Sequence, residues 1–75
     1  MKIFSSTELA KYLGCVLPTI TRWLREGLPH SFAGGGYVYD LKEVLEWMQK
    51  GPAQRRRWAK VLLSTPKVQA DIKKD

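Results

Sequence analysis

Apolar residues recur at helical spacing in four stretches of the chain, and in one stretch the period shifts to that of short strands. Leu9, Tyr12 and Leu13 lie three and four apart and give a first helix, over about Ser6 to Leu13, one apolar face. Ser5-Ser6-Thr7-Glu8 has the form of a capping box ahead of it, with Phe4 placed to staple against Leu9. Gly14 stops that helix. Leu17 opens a second helix, with Pro18 in a first turn that needs no amide hydrogen there. Ile20, Trp23 and Leu24 form its apolar face, and Gly27 and Pro29 end it. Only Gly14, Cys15 and Val16 separate the two helices. Two short amphipathic helices joined by so tight a glycine-containing turn are the signature of a helix-turn-helix.

The period then changes. His30-Ser31-Phe32 and Tyr37-Val38-Tyr39 read as two short strands, with Ala33 and Gly34, Gly35 and Gly36 between them as a hairpin turn. Asp40-Leu41-Lys42-Glu43 has the form of a second capping box and opens a third helix, to about Lys50. Leu41, Val44, Leu45 and Met48 line that helix, with Trp47 at the edge of the apolar face. Gly51-Pro52 punctuates, and Ala53 to Ser64 reads as a fourth helix with Trp58, Val61 and Leu62 as its stripe. Thr65-Pro66 ends it. The last nine residues read as disordered or as a frayed final turn.

Composition narrows the class. Three Trp, three Tyr and two Phe are large apolar payloads for 75 residues. Thirteen basic side chains against seven acidic ones leave a net charge of +6, which favours polyanions. The excess is uneven. Residues 1–50 hold six basic and five acidic side chains, and residues 51–75 hold seven and two. Asp40, Glu43 and Glu46 suit the start of the third helix but would repel phosphate, so that helix is expected to face away from a nucleic acid. The single cysteine, Cys15, excludes an intrachain disulfide and reads as a small buried residue. No run of apolar residues is long enough to span a bilayer, and Met-Lys-Ile-Phe-Ser-Ser lacks the apolar core of a secretory signal, so a cytoplasmic location is expected.

The candidate chemistry is binding. No cofactor, metal site or catalytic constellation is expected: His30 has no nucleophile or paired carboxylate in defensible relation to it, and the glycine run matches no nucleotide-binding loop. With Ile20, Trp23 and Leu24 turned inward, the second helix presents Leu17, Pro18, Thr21, Arg22 and Arg25. Arginines on such a helix donate bidentate bonds to guanine or bind phosphate, and a threonine methyl can meet a thymine methyl. The alternative is that these arginines only solvate the helix. The hairpin tip can bring amide hydrogens close to a phosphate, or it can be a plain tight turn. Arg55, Arg56, Arg57 and Lys60 form the densest charge cluster, suited to flanking phosphates or to a solvated helix face. The Trp58 stripe returns to the domain or meets a second copy of the chain.

The stretch from Leu9 to Pro29, with its Thr19-Ile20, Arg22-Trp23 and Glu26-Gly27-Leu28-Pro29 signatures, resembles the opening of the MerR-like winged helix-turn-helix superfamily. The resemblance continues through Gly34-Gly-Gly-Tyr-Val-Tyr-Asp-Leu-Lys-Glu-Val-Leu-Glu-Trp and covers roughly residues 4–50. Within that superfamily the chain is similar to the DNA-binding domain of lambda-type phage terminase small subunits and to phage excisionases. The resemblance implies a mostly α fold with a small β-hairpin, a winged helix-turn-helix with a three-helix core, to which the fourth helix read above adds a C-terminal helix. Residues 1–50 would be the DNA-binding domain and residues 51–75 a basic C-terminal helix and tail.

By position, Leu17, Pro18, Thr21, Arg22 and Arg25 correspond to a recognition helix in the major groove. Gly34, Gly35, Gly36 and Tyr37 correspond to a wing at the adjacent minor groove. Two departures stand out. Val16 replaces the usual serine cap, a change worth ~1 kcal/mol in helix stability, and the wing lacks arginine and lysine. The partner implied is double-stranded DNA, with self-association on DNA and a recombinase or large terminase subunit as further partners. Excisionase, small transcriptional regulator and terminase small subunit remain open as roles. So does a protein-interaction adaptor that uses Leu17, Pro18 and the Trp58 stripe without DNA.

Overall fold

The computed structural model describes residues 3–73 and contains a three-stranded sheet and five helices. In chain order the elements are β1 (Ile3–Ser5), α1 (Ser6–Leu13), α2 (Leu17–Glu26), β2 (Ser31–Ala33), β3 (Gly36–Asp40), α3 (Leu41–Gln49), α4 (Ala53–Leu63) and α5 (Pro66–Lys73). The strand order is β1-β3-β2, antiparallel throughout. This is a mostly helical fold with a small antiparallel sheet, in a winged helix-turn-helix arrangement.

Local chemistry explains why α1 and α2 start and stop where expected. The Ser5 hydroxyl accepts from the Glu8 amide at 3.3 Å, and Glu8 accepts from the Ser5 amide at 3.0 Å, so the first capping box is complete. Gly14 sits at φ 77°, the left-handed region that closes a helix. The Cys15 amide then reaches back to the Ala10 carbonyl at 2.9 Å, which turns the chain sharply into α2. At the end of α2 the Leu28 amide bonds the Trp23 carbonyl at 3.0 Å in the same pattern, and both side chains are buried.

The sheet holds one strand more than the hairpin read from the sequence. Phe4 pairs in register with Tyr39, and both are buried. The Tyr39 hydroxyl is satisfied by the Ser6 hydroxyl at 2.8 Å, which makes a polar tip tolerable inside the core. The second capping box does not form as read: Asp40 caps α3 by accepting from the Lys42 amide at 3.0 Å, one residue before the Glu43 amide that the box would use.

The core joins the front of the chain to its end. Leu9, Leu13, Ile20, Trp23, Leu28, Leu41, Val44, Leu45 and Met48 are buried together with Ala59 of α4 and Val68 of α5. Two expectations for residues 51–75 are corrected here. In α4 the fully buried residue is Ala59; Trp58 and Leu62 are half-buried, and Val61 is 66% exposed. With Ala59 facing the core, Val61 two residues on lies about 200° around the helix and faces solvent. Beyond Thr65, the described residues are ordered as α5 rather than frayed. Val68 packs into the core, and the Tyr12 hydroxyl donates to the buried Asp71 carboxylate. Residues 74–75 of the expected tail lie outside the described residues.

Candidate nucleic-acid interface

Ile20 and Trp23 anchor α2 in the core, so its opposite side faces solvent. Leu17, Pro18, Thr21, Arg22 and Arg25 are all exposed and together line one shallow concavity of about 470 Å³. The structure therefore brings together the five residues that the sequence assigns to the second helix. Arg22 keeps a 68% exposed side chain, with its Nε 3.9 Å from Glu26, a contact too long and too open to hold it. Thr21 turns its hydroxyl back toward the Leu17 carbonyl, at 3.4 Å. Val16 at the N-cap supplies no side-chain hydrogen bond and is 64% exposed, which extends the apolar start of the helix.

The wing is β2, β3 and the turn between them. Gly34 and Gly35 have φ of 58° and 82°, so they form a two-residue hairpin turn of the kind that needs positive φ at both positions. Gly36 belongs to β3, so the turn is tighter than the four-residue connection read from the sequence. That register puts Phe32 directly opposite Tyr37. Their rings lie 4.6 Å apart, and His30 stands edge-on to Tyr37 at 5.0 Å. Phe32 is 73% exposed and Tyr37 41%. The wing thus offers an exposed aromatic cluster in place of a cation. Phe32 was missed as a site residue: three consecutive glycines leave the register open in the sequence, and it is the turn at Gly34-Gly35 that sets Phe32 opposite Tyr37.

The basic cluster on α4 divides. Arg56, Arg57 and Lys60 are exposed and border one surface concavity with Ala53. Arg55 turns the other way. Its side chain is 12% exposed and donates to Glu26 of α2 at 2.7 Å. Its guanidinium lies 4.0 Å from the Trp47 ring centroid and 5.7 Å from that of Trp23. Trp23 meets Trp47 at 5.8 Å and Trp58 at 5.5 Å, so α2, α3 and α4 each contribute one indole to the packing around it.

Other candidate groups play quieter parts. His30 Nδ1 bonds the Leu28 carbonyl at 2.8 Å. Burial pushes the half-buried Cys15 thiol above its ordinary pKa, which suits packing rather than thiolate chemistry. Among the described residues no group of three or more His, Cys, Asp or Glu is placed to hold a metal ion. No helix among them is long and apolar enough to cross a membrane.

This architecture, with an exposed second helix after a tight turn and a projecting hairpin, defines a helix-turn-helix module. The model of the helix-turn-helix domain family matches residues 3–52, and the chain belongs to that family. No curated protein and no solved structure matches the chain. Membership supports a general DNA-binding or regulatory role.

Proposed function

We propose that the chain binds double-stranded DNA with α2 in the major groove, as a small transcriptional regulator or an excisionase-type protein that shapes DNA for a recombinase. Leu17, Pro18, Thr21, Arg22 and Arg25 face the base edges in this reading. The wing, through Gly34, Gly35, Gly36 and Tyr37, lies at the adjacent minor groove, and we add Phe32 to it. Arg56, Arg57 and Lys60 reach flanking phosphates, whereas Arg55 serves the fold. Residues 1–50 carry the recognition surface, and residues 51–75 add charge and support. The observation that carries the proposal is the shared concavity: two unheld arginines beside three apolar or methyl-bearing residues, on the one face of α2 that the core leaves open. Recognition of a packaging site would use the same surface with a large terminase subunit as partner, so the partner separates these roles.

The test is selection of binding sites from random duplex by the full chain, followed by salt titration. An enriched motif is expected, with affinity falling steeply as salt rises. Arg22→Ala should lose ~1–3 kcal/mol and relax preference at one base pair. Failure to retain any duplex at low salt would overturn the proposal and leave the adaptor reading in its place.

A further inference from the structure

We infer that the start of α2 reads pyrimidine 5-methyl groups in the major groove, those of thymine or of 5-methylcytosine. The inference rests on the DNA-binding reading above and adds a specificity to it.

Three observations carry it. First, the leading edge of α2 is apolar and open. Val16 is 64% exposed and Leu17 45%, and Pro18 is exposed beside them. Scattered exposed apolar residues are ordinary, but these three are consecutive, and Leu17 and Pro18 line one concavity with Arg22 and Arg25. Second, the hydroxyl of Thr21, one helical turn after Leu17, turns back to the Leu17 carbonyl. At 3.4 Å that contact is weak, but with the hydroxyl turned inward Thr21 can offer its methyl group to a partner. Third, no side chain caps this end of the helix, and Pro18 removes one of the first-turn amide hydrogens. The usual polar equipment of a helix start is thus reduced here and replaced by hydrocarbon.

The occupant follows from the surroundings. Arg22 and Arg25 on the same face suit a polyanion, which argues against an apolar protein groove as the partner. Within duplex DNA the major groove displays one apolar feature, the methyl at C5 of thymine, to which a methylated cytosine adds the same group. Apolar side chains with no competing donor distinguish a base that carries this methyl from one that does not. Arg22 and Arg25 supply polar contacts to neighbouring guanines or phosphates, so methyl reading and hydrogen-bond reading fall on adjacent base pairs.

The test uses the full chain and the duplex found by selection. Each thymine is replaced singly by deoxyuridine, which removes only the methyl. Covering one methyl is worth ~0.8 kcal/mol, so at one or two positions affinity should fall about fourfold. With Leu17→Ala or Thr21→Ser, the same replacement at the matching position should lose nothing further. In a second arm, cytosine and 5-methylcytosine are compared at that position, and methylation should restore about fourfold. A gain there larger than the loss on uridine replacement would mark methylated cytosine as the preferred source, and a smaller one thymine. Selection without any enriched motif would refute the DNA-reading proposal and this inference with it. An enriched motif whose affinity is indifferent to deoxyuridine at every position would refute the inference alone.

Discussion

Replacing Arg55 separates support of the fold from contact with DNA, two roles that a run of three arginines leaves entangled. The guanidinium donates to Glu26 at 2.7 Å, but Glu26 is 42% exposed, so this ion pair is worth no more than ~1 kcal/mol. Its position over Trp47 and Trp23, in a setting only 12% open to water, adds ~1–2 kcal/mol of cation–π attraction. The aliphatic stem covers indole surface that alanine would leave bare. Against this, Arg55 Nε is buried without a hydrogen-bond partner among the described residues, a cost of ~1 kcal/mol. The balance for Arg55→Ala is a loss of about 2 kcal/mol. In a domain of this size that lowers the melting temperature by roughly 8–16 °C. Thermal unfolding followed by tryptophan fluorescence reads the change directly, since all three indoles surround the site. Duplex affinity, measured well below the variant's melting temperature, should stay within about twofold of the parent, with the same salt slope. A double-mutant cycle with Glu26→Gln should return a coupling of ~0.5–1 kcal/mol. An unchanged melt together with a steep loss of affinity would show that Arg55 reaches phosphate and that the clamp is not the state that binds.

Trp23→Ala empties the centre of the indole cluster and should cost ~3–5 kcal/mol, checked by chemical denaturation; an unchanged midpoint would refute the core assignment. Phe32→Ala removes an exposed wing side chain, so stability should change by less than ~0.5 kcal/mol while duplex affinity falls by ~1 kcal/mol through lost apolar contact; equal affinity would remove Phe32 from the interface. Burial and the Asp71 carboxylate hold the Tyr12 hydroxyl above its ordinary pKa of 10.0, so the folded chain keeps a proton that the unfolded chain releases. That contribution is present below pH 10 and is lost as pH rises beyond it, so stability should fall more steeply above pH 10 in the parent than in Tyr12→Phe, as denaturation at a series of pH values would show.

Much of the front half was legible because its signals are local. The Ser5–Glu8 capping box, the tight turn at Gly14 and the three-and-four spacing of Ile20, Trp23 and Leu24 each act over a few residues. They also fix which face of α2 remains outside, so its five candidate residues emerge together. What was not legible depends on distant partners. β1 forms because Ile3, Phe4 and Ser5 find β3 more than thirty residues away. α5 has few apolar residues of its own and is held by Val68 in the common core and by Asp71 against Tyr12. Arg55 shares its charge with Arg56 and Arg57, and only the position of Glu26 and the two indoles distinguishes it from them.

That last point bears on how the recognition helix is held. The family match ends at residue 52, yet the face of α2 that buries Trp23 is covered by Trp58 and flanked by Arg55, both on α4. A 75-residue chain has little interior to spare, and the three-helix unit alone would leave one side of Trp23 and of Trp47 in water. α4 covers these indoles through Trp58, which meets Trp23, and through Arg55, which lies over Trp47 and pairs with Glu26 at the end of α2. The orientation of Arg22 and Arg25 is therefore set from behind by residues outside the family pattern. A substitution on the inner face of α4 should alter α2 through its packing, whereas one at Arg56, Arg57 or Lys60 should act only through charge.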